Sequence, residues 1–250
     1  MHDHNTKRYI MRLFLPTTLL IVGVLVLSSC ANLPMADLTN ILKGDAPLTE
    51  EKVARGLREA LSIGTQRTSS SLSTDGGFSA NSLLRIALPE ELATVSSRLR
   101  AVGLGGEVDK FETQMNRAAE LAAGEAFDVF SSAITRMSLR DAFSILNGPP
   151  NAATAYFKQE TSAELASRFE PVVQSAMEKV GVYTVYTELV SRYNAIPLVR
   201  PVNVDLEAYI VDRTLYGMFS VLEQEELKIR EDPMARTTEL LKSVFGRKAQ

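Results

Sequence analysis

Glu112, Asn116, Arg117 and Glu120 stand close together in an alanine-rich stretch, and their types can do chemistry. Carboxylates move protons or serve as nucleophiles, an amide bonds as donor and acceptor at once, and a guanidinium holds an anion. Two carboxylates suffice for glycoside hydrolysis when they flank a groove about 5 to 9.5 Å apart. Glu112 and Glu120 are separated by about 12 Å of helical rise, so a hydrolase would need one of them with Glu125, Asp128 or a carboxylate from another helix. Glu112 and Asn116 share one side at i,i+4, and Arg117 can pair with Glu120 at i,i+3. Taking Val108 as zero and about 100° per residue, Phe111, Met115, Ala119, Ala122, Ala126 and Phe130 fall within about 60° of it, with Glu112 at roughly 40°, Asn116 at roughly 80° and Arg117 opposite. A carboxylate and an amide beside a packed face need partners, since burying them unpaired costs several kcal/mol. Two uses stay open: fixing helix register against a neighbouring helix or loop, or recognising a ligand or partner.

The residue inventory excludes more chemistry than it offers. His2 and His4 are the only histidines and Cys30 the only cysteine. Lys7, Arg8 and Arg12 precede an apolar run from Leu13 to Leu27, and the chain then reads Leu27-Ser28-Ser29-Cys30. This resembles a bacterial lipoprotein signal peptide, which implies cleavage before Cys30, acylation of that cysteine with chains such as palmitate, and loss of both histidines. The run is short of the roughly 20 residues that cross a bilayer. Either Met1 or Met11 can be the start, since Arg12 still supplies a positive charge after Met11, and by the same resemblance Ala31 after the cysteine, rather than Asp, implies transfer to the outer membrane with the protein on its periplasmic face. Serine–histidine hydrolysis, cysteine nucleophiles and histidine-ligated zinc or haem are then excluded. No D-x-[DN]-x-[DN]-G calcium loop is present, so neither metal nor cofactor is expected. The whole chain carries a formal charge of −3. Removing Lys7, Arg8, Arg12 and Asp3 leaves 24 basic against 29 acidic residues, or −5, with no basic face for nucleic acid.

The elements that must position the polar residues read as helices. Residues 1–29 are the signal, 30–48 a tether marked by Pro34, Gly44 and Pro47, and 49–246 a single helical domain. Thr49 caps a first helix with Val53, Leu57 and Leu61 as its apolar row. Gln66 to Asn81 is too rich in small polar residues for a firm element and reads as a surface loop, with Gly76-Gly77-Phe78 as a candidate lid. Pro89 opens a second helix burying Leu92, Val95 and Leu99, and Gly103 to Gly106 turns the chain into a long central helix from Glu107 to Met137. Ser138 and Asp141 form a capping-box-like start, Asn147-Gly148-Pro149-Pro150 a stop, and Asn151 and Thr161 two further helix starts, the second closing at Gly181 with a bend at Pro171. Tyr183 to Tyr193 follows. The helix from Asp205 to about Glu231 is apolar all round its first turns, which demands cover on several sides. Its polar end, Glu223, Glu225, Glu226 and Lys228, reads as emerging from the bundle. A last short helix docks back through Leu240, Leu241, Val244 and Phe245. Alternating strand patterns are almost absent, so the expected fold is an all-α multi-helix bundle around the long central helix.

Three runs carry a further likeness: Phe111-Glu112-Thr113-Gln114-Met115-Asn116-Arg117-Ala118-Ala119-Glu120; Ile145-Leu146-Asn147-Gly148 with Ala153-Thr154-Ala155-Tyr156-Phe157; and Ala235 through Gly246. Together they resemble the DUF4197 family of bacterial envelope proteins over roughly residues 49 to 246. The resemblance implies an exported protein and lends neither mechanism nor ligand. Glu112, Met115, Asn116, Arg117 and Glu120 match its central motif, whereas Tyr216 stands where members often show an acidic residue.

The combined expectation is a lipid-anchored, non-enzymatic binding or adaptor module, with an envelope protein or an amphiphile as partner. A carboxylate-dependent hydrolase of an envelope polymer and a self-associating structural component are the alternatives. Ala118, Ala119, Ala122, Ala123 and Ala126 allow close helix approach, either within the chain or between copies. Where that face meets the Asp205 helix, a filled interface is favoured. Any cleft there should be lined by Phe111, Met115, Tyr209, Tyr216, Met218 and Phe219.

Overall fold

Thr49 begins the domain as its composition requires: the Thr49 hydroxyl accepts the Lys52 N–H at 3.2 Å, and Glu50 and Glu51 occupy the positive end of the helix that follows. In this computed structural model residues 49–199 and 201–246 are described; the expected signal, Cys30 and the expected tether lie outside them. Helix α1, Glu50–Leu72, runs about two turns into the stretch expected to be a loop. Thr65 and Thr68 are buried and return their hydroxyls to the carbonyls of Leu61 and Gly64 at 2.9 and 2.8 Å, so their polarity is absorbed within the helix. Leu72, 1% exposed, then anchors its end.

Turns and an extended stretch follow, sinking Phe78, Leu84 and Ile86 into the core before Pro89 and a single 3-10 turn, Glu90–Leu92. Helix α2, Ala93–Ala101, buries Val95 and Leu99 and stops before Gly103, whose φ of +85° turns the chain into α3, Gly105–Ala123. The single long helix expected to Met137 is two: α3 ends at Gly124, and α4 spans Ala126–Arg136. At the break the Glu125 N–H bonds the Ala122 carbonyl at 3.0 Å, a tighter turn than the α-helical one, at a glycine with little helix preference. The apolar stripe from Val108 to Phe130 nevertheless continues across it without exposure.

Helix α5, Leu139–Leu146, starts with a full capping box between Ser138 and Asp141. The two starts expected at Asn151 and Thr161 merge into one helix, α6, Ala152–Val180, containing Pro171. Thr161 is buried in mid-helix and donates its hydroxyl to the Phe157 carbonyl at 2.6 Å, so its capping-box pattern with Glu164 is not used. Gly181, at φ +76°, ends α6 and opens α7, Val182–Asn194. Asp205 caps α8, Leu206–Glu231; after a 3-10 turn, Pro233–Ala235, Thr238 caps α9, Glu239–Phe245.

Among the described residues the fold is all-α, without strands. Helices α3, α6 and α8 pack on one another; α1 closes against α4, α5, α8 and α9, while α2 and α7 cover α3. The alanine face of α3 and α4 is wholly inside this packing, each of its five alanines at 0% exposure. Phe130 sits edge-on to Phe157 and Phe219, at 5.3 and 6.2 Å between centroids. The end of α8 is exposed on one face only: Lys228 reaches solvent and Glu223 is half-buried, but Glu225, Glu226 and Ile229 are buried under α1, α6 and α9. No helix among the described residues is long and apolar enough to cross a membrane.

Candidate functional site

Asn116 lies at the rim of the core stripe and is 1% exposed. Its Oδ1 accepts the Ile86 N–H at 2.9 Å, and its Nδ2 donates to the Ile86 carbonyl at 2.9 Å and the Glu112 carbonyl at 2.7 Å. One amide thus replaces the partners that an extended backbone would find in a sheet, which is why Ile86 can be buried without a neighbouring strand. One turn earlier Glu112 takes Arg85, next to Ile86, in an ion pair of 2.6 Å.

Glu120 is 1% exposed and holds the other part of the same segment. Its Oε1 accepts the N–H groups of Gly76, Phe78 and Ser79 at 3.1, 3.3 and 3.5 Å and the Ser79 hydroxyl at 3.3 Å, while Oε2 faces Arg117 at 3.2 Å. A converging set of backbone N–H groups is an anion-binding arrangement, and here the anion is the protein's own. Gly76-Gly77-Phe78 is therefore not a lid. Gly76 stands at φ +87°, and Phe78 is fully buried, with Gly217 so close that a Cβ there would lie 2.6 Å from the Phe78 ring. Glu112, Asn116, Arg117 and Glu120 together bolt residues 76–86 onto α3.

A second polar cluster carried no local pattern beyond an i,i+4 pair. Glu226 accepts the N–H groups of Ala153 and Thr154 and the Thr154 hydroxyl, each at 2.9 Å, capping the start of α6. Arg230 pairs with it at 2.8 Å and also donates to the Ile145 carbonyl at 2.8 Å, at the end of α5. The acid thus meets the positive end of one helix and the base the negative end of another. Beneath them lies an apolar cavity of about 20 Å³, room for no more than about one water.

The six residues of the expected cleft are not gathered in one place. Phe111, Met115 and Met218 are fully buried, with Phe111 stacked on Tyr186 at 6.0 Å. Tyr209 bonds the Ala87 carbonyl at 2.9 Å, and burial raises its pKa. Tyr183, which donates to the Glu207 carboxylate, is likewise raised, by burial first and that bond second. Tyr216 and Phe219 do meet, in an open groove of about 470 Å³ between α6 and α8. Its floor is Ala155, Leu215 and Phe219; Lys158 stands on the α6 rim and Asp212 on the α8 rim. Tyr216 is 57% exposed, and the Arg213 guanidinium lies 4.8 Å from its ring centre.

Among the described residues no three Asp, Glu, His or Cys side chains gather to hold a metal ion. No curated protein and no solved structure matches the chain. Residues 47–246 match the model of the family described as "Protein of unknown function (DUF4197)", which covers the whole described domain and most of the chain, and the protein therefore belongs to the DUF4197 family.

Proposed function

We propose that the protein is a non-enzymatic adaptor, tethered through lipidated Cys30 to the periplasmic face of the bacterial outer membrane, that presents the α6–α8 groove to a protein partner. The observation behind this reading is the use made of the buried polar groups. Glu112, Asn116, Glu120 and Glu226 are each engaged by backbone groups or an arginine. Lys158 and Asp212, beside the open groove, have no ion-pair partner among the described residues. A side chain already committed to holding a loop or a helix end is a poor proton carrier. An apolar floor rimmed by charge is the common anatomy of a recognition surface. The tether rests on the likeness of residues 1–30 to a lipoprotein signal.

Two measurements test the reading. Cys30→Ser should move the protein from the membrane to the soluble periplasmic fraction and abolish acyl labelling; unchanged membrane association contradicts the anchor. Crosslinking in intact envelopes followed by pull-down should give a product that Leu215→Ser with Tyr216→Ser removes and Cys30→Ser retains in solubilised material. Identical profiles contradict the groove. Purified protein should produce no clearing in a peptidoglycan zymogram, because Glu112 and Glu120 are each held by an arginine.

A further inference from the structure

We infer that the occupant of the α6–α8 groove is a second copy of this chain, seated antiparallel so that Tyr216 of each copy enters the groove of the other and Lys158 of each reaches Asp212 of the other. This rests on the groove being the recognition surface.

Each rim, Asn151 to Ser162 on α6 and Asp212 to Glu223 on α8, is about 16 Å long, enough for three turns of an opposing helix. Between them Ala155, Ser162 and Ser220 take little space, so the groove accepts a large side chain from outside. The hydroxyls that line the groove are already satisfied: Ser162 donates its hydroxyl to the Lys158 carbonyl at 2.5 Å, Ser220 to the Tyr216 carbonyl at 2.8 Å, and Thr154 to Glu226 at 2.9 Å. Asn151 donates to Glu223 at 3.2 Å across one end. Covering these groups removes water without breaking a bond, and that is the condition for drying a surface cheaply.

Of the charged groups that line the groove, Glu223 is held by Asn151 at one end, while Lys158 and Asp212 stand exposed on the two sides, opposite in sign and not paired with each other. A two-fold contact puts the same patch on both sides, so the patch must complement itself. An apolar centre with a cation on one rim and an anion on the other does so: rotation about the axis sets each lysine against an aspartate, and two ion pairs close around the aromatic centre. Tyr216 suits the central position. It is exposed, and with Arg213 against one face its ring is set before contact, which lowers the ordering cost of association. The alanine face cannot serve instead, since it is consumed between helices of one chain.

The test is a charge exchange in the full mature chain in detergent, with sedimentation velocity across a concentration series as readout. Wild type should be a dimer. Lys158→Asp and Asp212→Lys should each weaken dimerisation about tenfold or more, and the double exchange should restore it to within about threefold of wild type. Both positions are exposed, so unchanged melting temperatures should verify the fold. A wild type monomeric at every concentration overturns the inference, as does a dimer that neither single exchange weakens or singles that the double fails to rescue. If wild type is monomeric yet Leu215→Ser with Tyr216→Ser still removes an envelope crosslink, the adaptor reading stands and the second copy is excluded. A monomer that carries an extractable amphiphile in the groove overturns both.

Discussion

An amide bonded to both polar groups of one buried residue cannot be trimmed without stranding them. Asn116→Ala leaves the N–H and carbonyl of Ile86 without their partner, and the expected cost is about 2 to 4 kcal/mol, read as a lower urea midpoint. Asn116→Asp should not rescue, because a carboxylate accepts from the Ile86 N–H but faces the Ile86 and Glu112 carbonyls as a second acceptor. Asp141 answers to pH instead. The Ser138 hydroxyl, then its N–H, holds this carboxyl below its ordinary value of 3.8. A depressed pKa contributes stability above the unfolded value and loses it as pH falls through the folded one. The difference in melting temperature between wild type and Asp141→Asn should therefore be constant near neutrality and shrink below about pH 4. Leu198 has a φ of +66°, a conformation that suits glycine, and its side chain is fully exposed. Leu198→Gly should raise stability or leave it unchanged, through release of about 1 kcal/mol of backbone strain.

Between elements, the junction of α5, α6 and α8 depends on the Glu226–Arg230 pair. Glu226→Ala leaves Arg230 buried without its carboxylate and the start of α6 uncapped, and about 3 to 5 kcal/mol should be lost. In a double-mutant cycle Glu226→Leu with Arg230→Met should cost less than the sum of the singles, since no lone charge remains. This junction also marks the limit of what the sequence discloses. Helix periods, the Thr49 and Ser138 caps, the helix start near Asp205 and the Gly181 stop are local, and they were legible, as was the burial of the apolar stripe of α3 and α4. Gly124-Glu125 was not, because a residue pair that interrupts a helix with one tight turn leaves the apolar period unbroken. Thr161 looks like a cap in sequence and is a mid-helix threonine in the fold, its hydroxyl satisfied by Phe157 four residues back. Glu225 and Glu226 looked solvated because, beyond the local Lys228 and Arg230, the groups that bury them, Arg67 on α1 and the start of α6, lie far outside any short window. For the same reason Glu112 and Asn116 could be recognised as needing partners while Arg85 and Ile86 could not be named.

For the domain as a whole, the first and last helices meet: a Cβ added to Gly56 on α1 would lie 2.6 Å from the Val244 Cγ2 on α9. Gly56→Val should displace α9 while the remaining helices keep their packing, seen as selective proteolysis after Asp232 with little change in helical circular dichroism. The same closure sets a timetable for the chain as it is made. Leu241, the centre of α9, is fully buried with Ala60 and Ile229, so the part of α1 around Gly56 and Ala60 gains this cover only after α9 has been made, although α4, α5 and α8 pack on the same helix earlier. The caps of α6 arrive only when Glu226 does, long after the helix itself has been synthesised. A polypeptide that emerges from one end first therefore lacks these long-range contacts through most of its elongation, and the α1–α9 and α6–α8 contacts can close only once the final third of the chain is available.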